Sequence, residues 1–259
     1  MWMGRAASRL DGGAIVVTGA SSGVGRAFVE GIARPGMRFA LVARRKELLD
    51  DVAATLARVG AEACVRPCDL RDPDAARAAG AEAVATLGAP DVVVACAGHS
   101  VARGVLATVD RPDTITRLTA VNHIGAVAHL LPLICAMAEV QHGHVVGVTT
   151  ANARLAVPGW GAYAASKAAF DTWLMSARPE LARVGVATSA VALPLVATPM
   201  VAAGRRSQGM SAERAADWIA RAIVTRAARV APAWVRPVEV LQALAPATTA
   251  RLIGRFARG

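Results

Sequence analysis

Tyr163 and Lys167 stand four residues apart in the stretch Tyr163-Ala164-Ala165-Ser166-Lys167. On a helix that spacing puts both side chains on one face. An ammonium beside a phenol favours the phenolate and draws the phenol pKa down from its usual value of about 10. A phenol tuned in this way can move a proton to or from a substrate oxygen. Tyr-x-x-x-Lys alone is common on solvated helix faces, but this chain has a single Tyr and two Lys beside 27 Arg. Where charge alone sufficed Arg would serve, so a compact, titratable amine is indicated.

A second group lies in Thr18-Gly19-Ala20-Ser21-Ser22-Gly23-Val24-Gly25. It joins a short apolar run, Ala14–Thr18, to a helix predicted over Val24–Ala33, the place where a dinucleotide pyrophosphate docks. Gly19 allows the tight turn, Gly23 lets backbone approach phosphate and Gly25 lets helix and strand pack closely. Ser21, Ser22 and Val24 sit at the helix N-terminus, which supplies donors and a positive dipole end. Gly19–Gly23 also fits G-x-S-x-G, a strand-to-helix elbow with Ser21 as nucleophile. A hydrolase of that kind needs an acid and a late His, and the last histidine, His144, precedes the final strands. It is kept as a remote alternative. Arg44 and Arg45 end the predicted second strand, where an acid would bind the ribose hydroxyls of NAD. Two guanidiniums suit a 2′-phosphate instead. NADP(H) is therefore expected, with NAD(H) as the alternative, against the plain reading of two exposed arginines opening a helix.

The elements needed to position these groups are legible. Strands are predicted at Ala14–Thr18, Arg38–Ala43, Glu62–Arg66, Asp91–Ala95, His144–Thr149 and Gly185–Leu193, with a last one at Arg229–Val235. Helices are predicted at Val24–Ala33, Lys46–Val59, Pro73–Leu87, Asp113–Gln141, Trp160–Arg183 and Ala212–Arg226, with one or two short ones in Val238–Arg258. Regular alternation with long connections implies an α/β fold: a single-domain Rossmann-type doubly wound parallel sheet, helices on both faces, spanning 1–259. Residues 1–12 read as an N-terminal extension and 238–259 as a basic helical tail.

The 259 residues are 54% apolar and 19% charged, which excludes disorder and permits a large core. The uncharged stretches Leu118–Ala138 and Val184–Gly204 contain Asn, His and Pro and read as buried elements rather than membrane spans. The start carries no secretory signal. Cys64, Cys68, Cys96 and Cys135 lack a zinc-ligand pattern, so no metal is expected and free thiols in a cytoplasmic protein are. The net charge is +10, and residues 205–259 hold ten Arg against three acids. Nucleic acid is not expected as a partner, because aromatics make up only 4%.

In these motifs the sequence resembles the short-chain dehydrogenase/reductase family, from about Gly12 to Arg226. The resemblance implies roles for further residues. Asp69-Leu70 would hold the adenine, and Ala95-Cys96-Ala97-Gly98 would close the fourth strand beside the cofactor. Asn122 would anchor a water on the catalytic lysine, and Pro194, Val196 and Thr198 would flank the nicotinamide. Thr150 stands where the family has a serine that holds the substrate oxygen; Cys96 and Leu195 replace a family Asn and Gly. What it implies is hydride transfer between nicotinamide and a carbonyl or alcohol carbon. Tyr163 would be the acid/base and Lys167 would hold the ribose. A cofactor-binding protein with little catalysis is the alternative. Leu155, Trp160 and Met200 are expected to face a hydrophobic substrate, a lipid or an acyl chain on a phosphorylated carrier, with Arg205-Arg206 as a basic rim or an exposed loop. Pairing of the Leu118–Ala138 helix would give a homodimer or homotetramer. Arg251, Arg255 and Arg258 beside Leu252 and Phe256 raise a peripheral membrane contact, with a solvated face packing Leu252 and Phe256 onto the body as the favoured reading.

Overall fold

Apolar runs too short for helices, bounded by Gly, Pro or Asp, pair with one another because both of their faces are covered. In the computed structural model, which describes residues 1–201 and 208–256, they form one parallel sheet. The strands are β1 (Ala14–Thr18), β2 (Arg38–Ala43), β3 (Glu62–Pro67), β4 (Val92–Ala95), β5 (Gly143–Thr150), β6 (Val186–Leu193) and β7 (Arg229–Val230). Their order is β3-β2-β1-β4-β5-β6-β7. Every residue of β1 and of β5 is buried, as a doubly covered sheet requires. Two separate apolar clusters result, one around Phe28, Phe39 and Ile219, the other around Leu130, Leu133 and Phe170. The chain leaves β1 towards β2 on one side and reaches β4 on the other, so a crevice opens beyond the carboxyl ends of these two strands. Thr18 pairs with Ala95, and Thr150 with Leu193, so these four residues mark that edge.

The covering helices are α1 (Trp2–Arg9), α2 (Gly23–Ile32), α3 (Lys46–Arg58), α4 (Pro73–Leu87), α5 (Val105–Val109), α6 (Asp113–Thr119), α7 (Gly125–Glu139), α8 (Gly161–Ala182), α9 (Ala212–Thr225), α10 (Val235–Leu244) and α11 (Pro246–Phe256). Several expectations are corrected. The N-terminal extension is itself helical: α1 buries Ala6 and Ala7, and its Met3 N–H donates to Asp217 in α9 at 3.0 Å. No recognised cap announces it, because Met1 occupies the cap position. α5 lacks a sequence signal too, since none of its residues is buried. The last strand shrinks to two residues, with Pro232, which has no N–H to give a ladder, just beyond it. The long helix expected from Asp113 to Gln141 is interrupted by a π turn at Ala120–Ile124. There the backbone comes so close to the end of β3 that a Cβ on Gly125 would lie 1.8 Å from the Leu70 carbonyl oxygen. By length and composition residues 113–139 are apolar enough to cross a membrane, but Leu118, Leu130 and Leu133 of this run are fully buried. Pro179 lies inside α8, which continues to Ala182.

Candidate active site

A cavity of about 640 Å³ occupies the crevice. Its cofactor half is built by the β1–α2 turn. Gly19 has φ +72°, and a Cβ there would come within 2.9 Å of the Ala97 backbone at the end of β4. On Gly25 a Cβ would sit 2.4 Å from the Gly19 carbonyl oxygen. Only glycine lets turn and helix close up in this way. The Thr18 hydroxyl accepts N–H bonds from Cys96 (3.1 Å) and Ala97 (3.0 Å), which ties β1 to β4 without the family asparagine that Cys96 replaces. No side chain caps the N-terminus of α2, and its first residues Gly23, Val24 and Gly25 line the crevice. Arg45 reaches back across the turn, donating to the Ser22 hydroxyl at 2.9 Å and to that of Ser21 at 3.3 Å. Ser21 is therefore held by a guanidinium and not by an imidazole, which withdraws the hydrolase reading.

The other half is built by α8 lying across β5. Gly147 in β5 leaves the space that Leu174 and Phe170 of α8 fill; a Cβ there would meet Leu174 Cδ1 at 2.0 Å. This close approach puts Lys167 against the strand, where its Nζ donates to the Val148 carbonyl at 3.1 Å. It also brings the Tyr163 phenol into a hydrogen bond with Thr150, at the end of β5. Trp160 packs edge-on against Tyr163, ring centroids 5.7 Å apart. Asn122, fully buried in the π turn, accepts from His99 N–H at 2.8 Å. It donates to the His99 carbonyl at 2.8 Å and to the Ser166 hydroxyl at 2.9 Å. Its side chain thus binds the segment after β4 to the turn of α8 that carries Tyr163 and Lys167. Gly98 leaves room beside them: a Cβ there would approach Lys167 Nζ at 3.1 Å.

The electrostatics correct one expectation. Burial pushes the Tyr163 phenol up to about 12, with the Thr150 hydrogen bond pulling the other way. Lys167 does not bring it down here. The same burial pushes the Lys167 ammonium down to about 8, the nearby Cys96 acting in the opposite direction. Loss of hydration governs both groups, and the amine is turned to the Val148 carbonyl rather than to the phenol. Asp69, expected at the adenine, is held by Arg71, which donates Nε–H at 2.8 Å and N–H at 3.0 Å; that bonding lowers the carboxyl pKa.

A family model described as short chain dehydrogenase matches residues 13–209, which span this sheet edge and both halves of the cavity. The chain belongs to the short-chain dehydrogenase family. An uncharacterized oxidoreductase of Mycobacterium bovis is 37% identical over 166 residues, 63% of this chain and 49% of that one. The chain thus spans about half the length of the first relatives it matches. A fatty acyl-CoA reductase of Acinetobacter baylyi is 32% identical over 240 residues, 92% of this chain and 81% of its own. Among solved structures, a metagenomic short-chain oxidoreductase in complex with NADP has a TM-score of 0.72 at 31% identity, covering 83% of this chain and 91% of its own.

Set out as a short-chain dehydrogenase, the cavity gathers almost every residue singled out in the sequence. Gly19, Ser21, Ser22, Gly23, Val24, Gly25, Arg44, Arg45, Asp69, Leu70, Ala97 and Gly98 line it, as do Thr150, Trp160, Tyr163, Lys167, Pro194, Val196, Thr198 and Met200. Asn122 stands behind Gly98 rather than in the wall. Leu155 is a correction. The tight turn Ala151–Arg154, fixed by Arg154 on the buried Asp171 at 3.1 Å, sends Leu155 into the body of the protein. Val157 takes a place in the wall. Arg205 and Arg206 lie outside the described residues. Sequence reasoning missed Arg71, His99 and Arg117, all in the cavity wall. The first two adjoin quoted motifs and could have been found by extending them; Arg117 carries no local signal.

Proposed function

We propose that the protein is a cytoplasmic oxidoreductase acting on CH–OH and C=O groups. The favoured reaction is the NADPH-dependent reduction of a ketone or aldehyde on a hydrophobic substrate, or its reverse. The observation that carries this reading is the meeting of Tyr163, Thr150 and Lys167 at the base of a cavity whose other half is a glycine cradle. The close backbone packing that Gly19 and Gly25 permit at the β1–α2 turn, with Gly23 in the cavity wall between them, supports a dinucleotide there. When bound, it supplies the hydride. Thr150 and Tyr163 bind and orient the substrate oxygen, and the Tyr163 hydroxyl gives or takes its proton. Lys167, fixed by Val148, binds the ribose, and Asn122 keeps the two walls in register. Val157, Trp160 and Met200 offer an apolar wall; the fatty acyl-CoA reductase among the relatives supports a long-chain carbonyl.

NADPH over NADH rests on Arg44 and Arg45. The double variant Arg44→Ala/Arg45→Ala should weaken NADPH binding about a hundredfold, the loss expected for two charge-assisted bonds, and leave NADH binding nearly unchanged. Nucleotide fluorescence titration measures both. Turnover of a carbonyl panel from short ketones to long-chain aldehydes tests the reaction itself, and tight binding with no turnover of any of them would favour the cofactor-binding reading instead. Ile124 and Leu131, exposed along α7 and the turn before it, support a dimer or tetramer built on that helix. Light scattering should give a multiple of the 26.6 kDa chain mass, and a monomer at micromolar concentration would refute it.

A further inference from the structure

Two helices tied to a loop of the cavity wall expose the side chains that helices normally bury. Along α5, Val105, Leu106 and Val109 are 84%, 86% and 72% exposed. Along α10, Val240 and Leu244 are 59% and 80% exposed. Both helices are tied to the same loop after β5, which carries Val157 and Trp160 of the cavity wall. The Arg103 N–H, just before α5, donates to the Gly159 carbonyl at 2.7 Å. Gln242 of α10 donates to the Arg154 carbonyl at 3.1 Å and accepts from the Ala156 N–H at 2.8 Å. Apolar surface on two helices therefore adjoins the loop that carries part of the cavity wall. Leu252 of α11 is exposed as well, against the expectation that it packs onto the body.

Charge says what covers this surface. Exposed Arg111 follows α5, flanked by Asp110 and Asp113, and exposed Arg236 and Arg251 lie on α10 and α11, with Glu239 on α10. Residues 235–259 hold four Arg and one Glu in a chain of net charge +10. A second copy of this basic C-terminal segment would meet it with like charge, whereas an anionic surface would meet it with opposite charge. Exposed leucines and valines among arginines on short helices are the pattern of segments that lie in a lipid headgroup region. We propose that the mouth of the cavity docks on an anionic phospholipid bilayer, α5 and α10 entering the headgroup region on either side of the 154–160 loop. An apolar substrate then passes from lipid to cavity without crossing water. That last step rests on the function proposed above; the docking itself does not.

Co-sedimentation of the full chain with vesicles tests the docking without cofactor or turnover, so its failure is separate from failure of the proposed reaction. The chain should pellet with phosphatidylcholine vesicles containing phosphatidylglycerol, bind phosphatidylcholine alone weakly, and be released by salt. Leu106→Asp/Leu244→Asp should weaken binding by about tenfold or more, since each change removes a leucine from lipid. NADPH fluorescence titration should show the variant's cofactor binding unchanged, as befits two exposed sites. Absence of pelleting with the phosphatidylglycerol vesicles, or equal pelleting of the variant, overturns the proposal. A light-scattering mass that falls only in the variant would assign the face to a second copy and overturn it too.

Discussion

Tyr163→Phe should lower turnover about a thousandfold, the usual reach of a positioned acid/base, while NADPH binds as before. Phenylalanine keeps the ring that packs against Trp160 and removes only the hydroxyl bonded to Thr150. The fold should therefore hold, and the loss should fall on turnover rather than on cofactor affinity. The pH dependence of the unaltered enzyme adds a sign. With burial holding the phenol near 12, it stays protonated through the neutral range and serves as an acid. Carbonyl reduction should then be flat across neutral pH, whereas alcohol oxidation, which needs the phenolate, should rise with pH. Stopped assays in both directions measure this; turnover that survives in the phenylalanine variant would end the mechanism.

Lys167→Met should remove most activity and at the same time stabilise the protein. The ammonium is buried and donates to the Val148 carbonyl. Its pKa falls from 10.5 to about 8 because burial costs the charged form its hydration. That difference corresponds to roughly 3 kcal/mol of native-state stability forgone at neutral pH. Loss of the Val148 bond gives back about 1 kcal/mol, so urea denaturation at pH 7 should show the variant more stable. The sign with pH follows from proton counts. Below pH 8 both states hold the proton and the full penalty applies. From about 8 to 10.5 the unfolded chain holds more protons than the folded one, so wild-type stability rises with pH. Methionine abolishes that rise. Tyr163 acts oppositely: its raised pKa keeps the proton on the folded state while the unfolded chain loses it, so stability falls from about pH 10 to 12. A variant that is less stable than wild type at pH 7 would show that the amine is better accommodated than its surroundings imply.

Most strand and helix limits were legible because glycine, proline and capping residues punctuate this chain. Ala14–Thr18, Arg38–Ala43 and Pro73–Leu87 are bounded as their flanking residues suggest, and Asp72 caps α4 by accepting from the N–H groups of Asp74 and Ala75. Where local punctuation was missing the reading failed. α1 has no cap and α5 no buried face. The break at Ala120–Ile124 lies next to Gly125, which packs against the Leu70 carbonyl, a contact distant in sequence. Leu155 turned inward because Asp171, on another element, holds Arg154.

The sequence by itself determined the alternation of strand and helix, the cradle of Gly19, Gly23 and Gly25, and the pairing of the lone Tyr163 with Lys167. These depend on backbone freedom, period and side-chain type, which act within a few residues. Only the tertiary structure decided the acidities of that pair, because hydration lost to burial depends on every element packed around them. It alone placed Asn122 behind the wall and tied two apolar helices to the loop of the cavity wall, since what a side chain touches is fixed by segments the chain brings together from far apart.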